Sequence, residues 1–86
     1  MITVIYKPVF LRRFHKLPPD LQDEVEEKIE IFRRDPRHAS LKTHKLKGRL
    51  TGSWSFSVNY RYRVIFEYES DNVISLMSVG DHSVYE

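Results

Sequence analysis

The chain lacks cysteine altogether. That excludes disulfides and thiolate chemistry. Glycine is scarce, at 3 of 86 residues. No apolar run approaches the roughly 20 residues that a membrane span needs. The start, "MITVIYKP", carries no basic leader and no signal-type apolar core, so the default expectation is a cytoplasmic protein without membrane association. Histidines 15, 38, 44 and 82 do not fall at close metal-ligand spacing, and no structural zinc is expected. Acid is also missing from one long stretch. Between Ile31 and Arg63 there is a single carboxylate, Asp35, against nine of the fourteen basic residues.

A chain of 86 residues is expected to form one domain, spanning 1–86, with a small core. Its net charge of +2 conceals a sharp segregation. Pro18 to Glu30 holds six acids against Lys28, and the basic stretch follows immediately. A concentrated basic surface suits a polyanion partner, because each neutralised phosphate releases counterions. A solvated basic face is the simpler alternative.

Residues 2–6, "ITVIY", are β-branched and predict a strand. In "KPVFLRRFHKLP", Phe10, Phe14 and Leu17 recur at helical spacing. Pro18 and Pro19 end that helix and start the next, since proline fits a first helical turn but not an interior. The second helix is read over Pro19–Arg34, with Leu21, Val25, Ile29 and Phe32 as its apolar stripe, and Asp35-Pro36 stops it. "HKLKGRL" is read as a strand interrupted at Gly48, and "TGS" as a turn. "WSFSV" alternates large apolar with small polar residues, the pattern of a strand with one buried face. "YRYRVIFEY" (60–68) and "VISLMSVG" (73–80) are read as further strands, separated by a turn at "ESDN". The lone Trp54 is read as core, His15 as helix surface and His38 as loop. The order predicts an α+β fold: an N-terminal strand, a two-helix hairpin, then a twisted, mainly antiparallel sheet.

Four motifs carry a resemblance: "PVFLRRFHKLP" before an acidic helix, "HKLKG", "YRVIF" and "VGDHSVYE". In this order and spacing the chain resembles the RelE/ParE superfamily of bacterial type II toxins, with motifs similar to those of YafQ-like members. The resemblance implies a metal-free endoribonuclease, with no cofactor, that cuts messenger RNA in the ribosomal 30S A site. The ribose 2′-hydroxyl would attack the adjacent phosphodiester and expel the 5′-oxygen. It also implies an acidic, partly disordered antitoxin that wraps the toxin in a hetero-oligomer.

Residue by residue, the resemblance implies His82 as general acid, since an imidazole exchanges protons at cellular pH. His44 would act as base or phosphate donor. Arg63 would hold phosphate oxygens through a fork that stays charged throughout the reaction; paired with Glu67 or Glu69, it would instead be an ordinary surface residue. Arg61, two residues away, would share a face with Arg63 on a regular strand. Lys45 and Lys47 would likewise share a face and bind backbone phosphate, and Tyr85 would stack on a base. Ser57 stands where many RelE-like sequences carry an arginine, which implies a machinery that is either histidine-assisted or weakened. Two rival readings differ in kind. A ParE-like member would poison DNA gyrase by protein contact and would not need the His44–Arg63–His82 set. A binding module would hold RNA and leave it intact.

Overall fold

The computed structural model describes residues 1–81. Strand β1 (Thr3–Tyr6) leads into helices α1 (Pro8–His15) and α2 (Pro19–Arg34). Four strands follow: β2 (His44–Lys45), β3 (Trp54–Ser57), β4 (Arg63–Ser70) and β5 (Val73–Gly80). They form one sheet in the order β1-β5-β4-β3-β2. β1 runs parallel to β5, and every other pairing is antiparallel. The helical hairpin between β1 and the later strands permits the parallel pairing, which no tight turn could make.

The proline pair works as the sequence implies. Pro18 is the N-cap of α2 and Pro19 its first residue, so neither removes a helical hydrogen bond. Phe10 and Phe14 of α1 and Leu21, Val25, Ile29 and Phe32 of α2 are all buried. The stripe of α2 meets the sheet through three rings. Phe32 stacks on Phe56 of β3 at 5.1 Å between centroids and meets Phe66 of β4 edge-on at 4.9 Å. At the end of α2, Glu30 accepts from Arg33 at 2.9 Å and from Arg34 at 3.0 Å. The Arg33 hydrogen bond, with the charge of both guanidinia, holds its carboxyl below the ordinary glutamate value.

Three segments depart from the sequence reading. "HKLKGRL" forms only the two-residue strand β2 before the chain turns into a 3-10 turn at Gly48–Leu50. Gly48 takes φ +71, which leads the chain out of the ladder. The segment also lacks the alternating apolar residues that would hold a longer strand on a core. Residues 60–62 are not strand, and β4 begins at Arg63. Asn59 Oδ1 accepts from the backbone N–H groups of Arg61 and Tyr62, both at 2.9 Å, and closes the β3–β4 connection as an Asx turn. Arg61 therefore lies in a turn and does not share a strand face with Arg63. At "ESDN" β4 continues to Ser70, so the turn narrows to Asp71 and Asn72.

Phe32→Ala removes the ring that joins α2 to both β3 and β4. The expected loss is about 3–5 kcal/mol of unfolding free energy, measurable by urea denaturation followed by circular dichroism.

Candidate active site

Helices cover one face of the sheet; the other, the helix-free or open face, still buries Ser55, Ser57, Ile65 and Ser75. Trp54 and Phe56 of β3 pair with Phe66 and Val64 of β4 and point into the core. Residues of opposite parity face away from the helices. On β3 these are Ser55 and Ser57, and on β4 they are Arg63, Ile65, Glu67 and Glu69. His44 pairs with Ser55, so it belongs to this open face too. The face is cationic toward Arg63 and acidic toward Glu67 and Glu69.

His44 is exposed at the first position of β2. Its Nδ1 lies 3.0 Å from the Lys42 carbonyl oxygen, and its Nε2 lies 3.4 Å from Ser55 Oγ. A carbonyl only accepts, so Nδ1 carries a proton. In the neutral ring the lone pair then sits on Nε2, on the side of Ser55 and the open face. That tautomer is the one a general base on this face requires.

Arg63 is half-buried at the start of β4. Its Nη1 donates to the carbonyls of Asn59 at 2.7 Å, Tyr62 at 3.0 Å and Tyr60 at 3.4 Å. It therefore braces the turn before β4. Glu67 accepts from Ser53 and Glu69 from Ser75, so the acid pairing expected of a surface arginine is not what holds Arg63. A guanidinium has five N–H groups in a fork. Bracing through one nitrogen leaves a second edge that can meet phosphate.

His44 and Arg63 share the open face but sit in separate recesses. His44 lies in a shallow one of about 290 Å³ with Leu46, Lys47, Arg49 and Leu50. Arg63 lines a larger recess of about 630 Å³ that also contains Ser57. Two strand spacings and two residues along the ladder put the two backbone positions about 12 Å apart.

The two lysines part company. Lys45 pairs with Trp54 and sets its ammonium 5.3 Å from the indole centroid, on the helix-facing side. Lys47 lies beyond the end of β2, where strand alternation no longer applies, and lines the His44 recess. Their expected common face is not formed. Arg61 sits over the Tyr62 ring, its guanidinium carbon 6.0 Å from the centroid. Trp54 is half-buried against Phe66, as expected of core. His15 is exposed at the end of α1, and His38 accepts at Nδ1 from the Ser40 N–H in the following loop. The roles expected of His82 and Tyr85 lie outside the described residues.

Three residues that the sequence reading passed over line the Arg63 recess: Lys28, Lys42 and Tyr60. Lys28 carried one signal, as the single base on the acidic part of α2. Tyr60 carried another, because an Asn directly before it favours a turn over a strand.

The family model described as "RelE-like toxin of type II toxin-antitoxin system HigB" matches residues 10–82. The chain belongs to this RelE-like toxin family. Solved structures agree on the fold. YafQ from Escherichia coli BL21(DE3) superposes with a TM-score of 0.80 at 13% identity, covering 99% of this chain and 98% of that one. The toxin–antitoxin complex RelBE2 from Mycobacterium tuberculosis gives 0.78 at 23% identity, with 94% and 98% covered. The YoeB–YefM complex from Staphylococcus aureus gives 0.74 at 21% identity, with 95% and 98% covered. No curated protein matches the chain significantly. Among the described residues of this RelE-like toxin, no helix is long and apolar enough to cross a membrane.

Asn59 fixes the turn that Arg63 braces. Asn59→Ala leaves two backbone N–H groups without their acceptor, and the expected cost is about 1–2 kcal/mol, read from the denaturation midpoint.

Proposed function

We propose that this RelE-like toxin is an endoribonuclease that cleaves messenger RNA on the ribosome, at the 30S A site, by attack of a ribose 2′-hydroxyl on its own 3′-phosphodiester. The observation that carries the reading is His44. Its Nδ1 is tied to a carbonyl, and its Nε2, 3.4 Å from Ser55 Oγ, is the proton acceptor on the same sheet face as Arg63. Family membership supports the reaction class.

The chemistry assigns three tasks. His44 Nε2 takes the 2′-proton as the oxygen attacks phosphorus. The free edge of the Arg63 guanidinium holds the non-bridging oxygens as charge builds on the phosphorane. His82 gives a proton to the departing 5′-oxygen, a role that rests on the resemblance of "GDHSVY" to the family's terminal motif. One O–P bond forms and one breaks, leaving a 2′,3′-cyclic phosphate and a 5′-hydroxyl. No cofactor enters this scheme. Lys47, beside His44, holds backbone phosphate. Arg61 and Lys45 lie farther out and supply general attraction to the polyanion, and Tyr85 stacks on a base.

The partner in the cell is an antitoxin, as the family's name implies, and the RelBE2 structure is a toxin–antitoxin complex; the basic stretch of this chain favours an acidic segment in that partner. That segment competes with RNA for the positive field of the open face. Neutralising Arg61, Arg63 and Lys47 together is expected to weaken antitoxin binding at least tenfold at low salt, measured by calorimetry. Unchanged affinity would show that the antitoxin binds elsewhere.

Catalysis is tested by inducing wild type, His44→Ala, Arg63→Ala and His82→Ala in growing bacteria and mapping messenger RNA 5′ ends. Wild type is expected to arrest growth and produce new 5′-hydroxyl ends. Loss of a proton-transfer group is expected to cut the rate about 10²–10⁴-fold, and loss of the arginine about 10²–10³-fold. Arrest with DNA damage and no new ends would point to gyrase. Salt-dependent RNA binding without cuts would point to a module that only binds.

A further inference from the structure

Tyr60 is 97% exposed, the most exposed aromatic side chain among the described residues. A ring left wholly in water contributes nothing to the core. The turn that carries it is nevertheless braced from several sides. Asn59 caps it through two backbone N–H groups, Asn59 Nδ2 reaches the Glu24 carboxylate at 3.3 Å, and Arg63 grips its carbonyls. The ring is thus presented on a fixed support.

Beside it opens the recess of about 630 Å³. Lys28, Lys42 and Arg63 line it together with Ser40 and Ser57, and no carboxylate among the described residues does. Lys28 Nζ touches Ser40 Oγ at 3.4 Å, which leaves most of its donor capacity for another acceptor. Lys42 is held at φ +48, ψ +44, a left-handed conformation that glycine or asparagine adopts with less strain. A lysine kept at such a position is a candidate for function.

We propose that this recess is an RNA subsite. Tyr60 stacks on one nucleobase of a single strand, and the neighbouring phosphates lie between Lys28 and Lys42. The inference rests on the ribonuclease reading, because Arg63 belongs to both places: a strand held there for cleavage continues into the recess. RNA fits better than an acidic peptide. Single-stranded RNA offers a flat ring and a phosphate in every residue, and stacking on a rigid aromatic beside cations is how proteins hold it. An acidic peptide would use the cations and leave the ring unexplained.

The probe is a fluorescent single-stranded 2′-O-methyl RNA heptamer, whose blocked nucleophile prevents cleavage, titrated by anisotropy at several salt concentrations. Tyr60→Ala is expected to weaken binding roughly tenfold, while Tyr60→Phe, which keeps the ring, binds like wild type. Lys28→Gln with Lys42→Asn is expected to reduce the salt slope by about 1.4, at about 0.7 for each phosphate no longer neutralised. Matching circular dichroism melts establish that each variant folds. If Tyr60→Ala and the double variant both bind like wild type while wild type still cuts messenger RNA, the subsite falls and the ribonuclease reading stands. If wild type binds the heptamer through Tyr60 but cuts nothing, the subsite stands and catalysis falls. If wild type neither binds nor cuts, both fall. If Tyr60→Ala leaves RNA affinity unchanged and instead releases the antitoxin, the surface belongs to a protein and the RNA subsite is overturned.

Discussion

The contact of Phe32 with Phe56 and Phe66 is the constraint on which the rest of the molecule depends. Three rings from α2, β3 and β4 meet within 5.7 Å of one another, centroid to centroid. In a domain this small, net stability is about 5–15 kcal/mol, and each buried ring supplies a large share. The contact also decides orientation. Because Phe56 and Phe66 must face α2, the strand alternation obliges Ser55, Ser57, Arg63 and Ile65 to face the other way. The open face that bears the candidate site is the complement of the aromatic core.

The same division explains the charge pattern. α2 turns its acids to solvent beside the core it covers, whereas the basic residues gather in the connections from Asp35 to Ser53 and from Asn59 to Tyr62. Those connections are short of apolar side chains and are held instead by local hydrogen bonds. Thr51 Oγ1 donates to the Gly48 carbonyl, Leu46 N–H donates to the Ser53 carbonyl, and Asn59 caps its own turn. Apart from Leu41, which is buried in the core, these connections are fixed by polar contacts, and the charged ends of their cations stay near water.

Much of this was legible in the sequence, for a physical reason. A helix spacing of three and four, a proline pair and an Asp-Pro stop act locally, so α2 runs over the residues its pattern marks, Pro19–Arg34. "WSFSV" and "VISLMSVG" are strands as their composition implies, but the single buried face expected of "WSFSV" is not what forms, because Ser55 and Ser57 are buried along with Phe56 and Val58. What escaped depended on single side chains. Alternation of aromatic and basic residues at 60–63 imitates a strand, yet the Asn59 carboxamide diverts the chain into a turn. "HKLKGRL" has strand-like content but no core to lie on, and Gly48 ends it early. For the site, motif resemblance singled out His44 and Arg63, and their common face follows from register alone. Lys28 and Tyr60 each carried a local signal, but their meeting with Lys42 was not legible, because the three come from separate segments that only tertiary folding brings to one recess.

The parallel pairing of β1 with β5 carries a consequence for biosynthesis. Thr3–Tyr6 can find a partner only in Val73–Gly80, so the two ends of the described fold wait for each other across all the elements between them. Such distant pairing is slow to nucleate. A nascent chain lacking the latter segment has no partner for β1, and its helices have only part of their sheet. The sheet therefore closes only once nearly all of the described chain is available to fold.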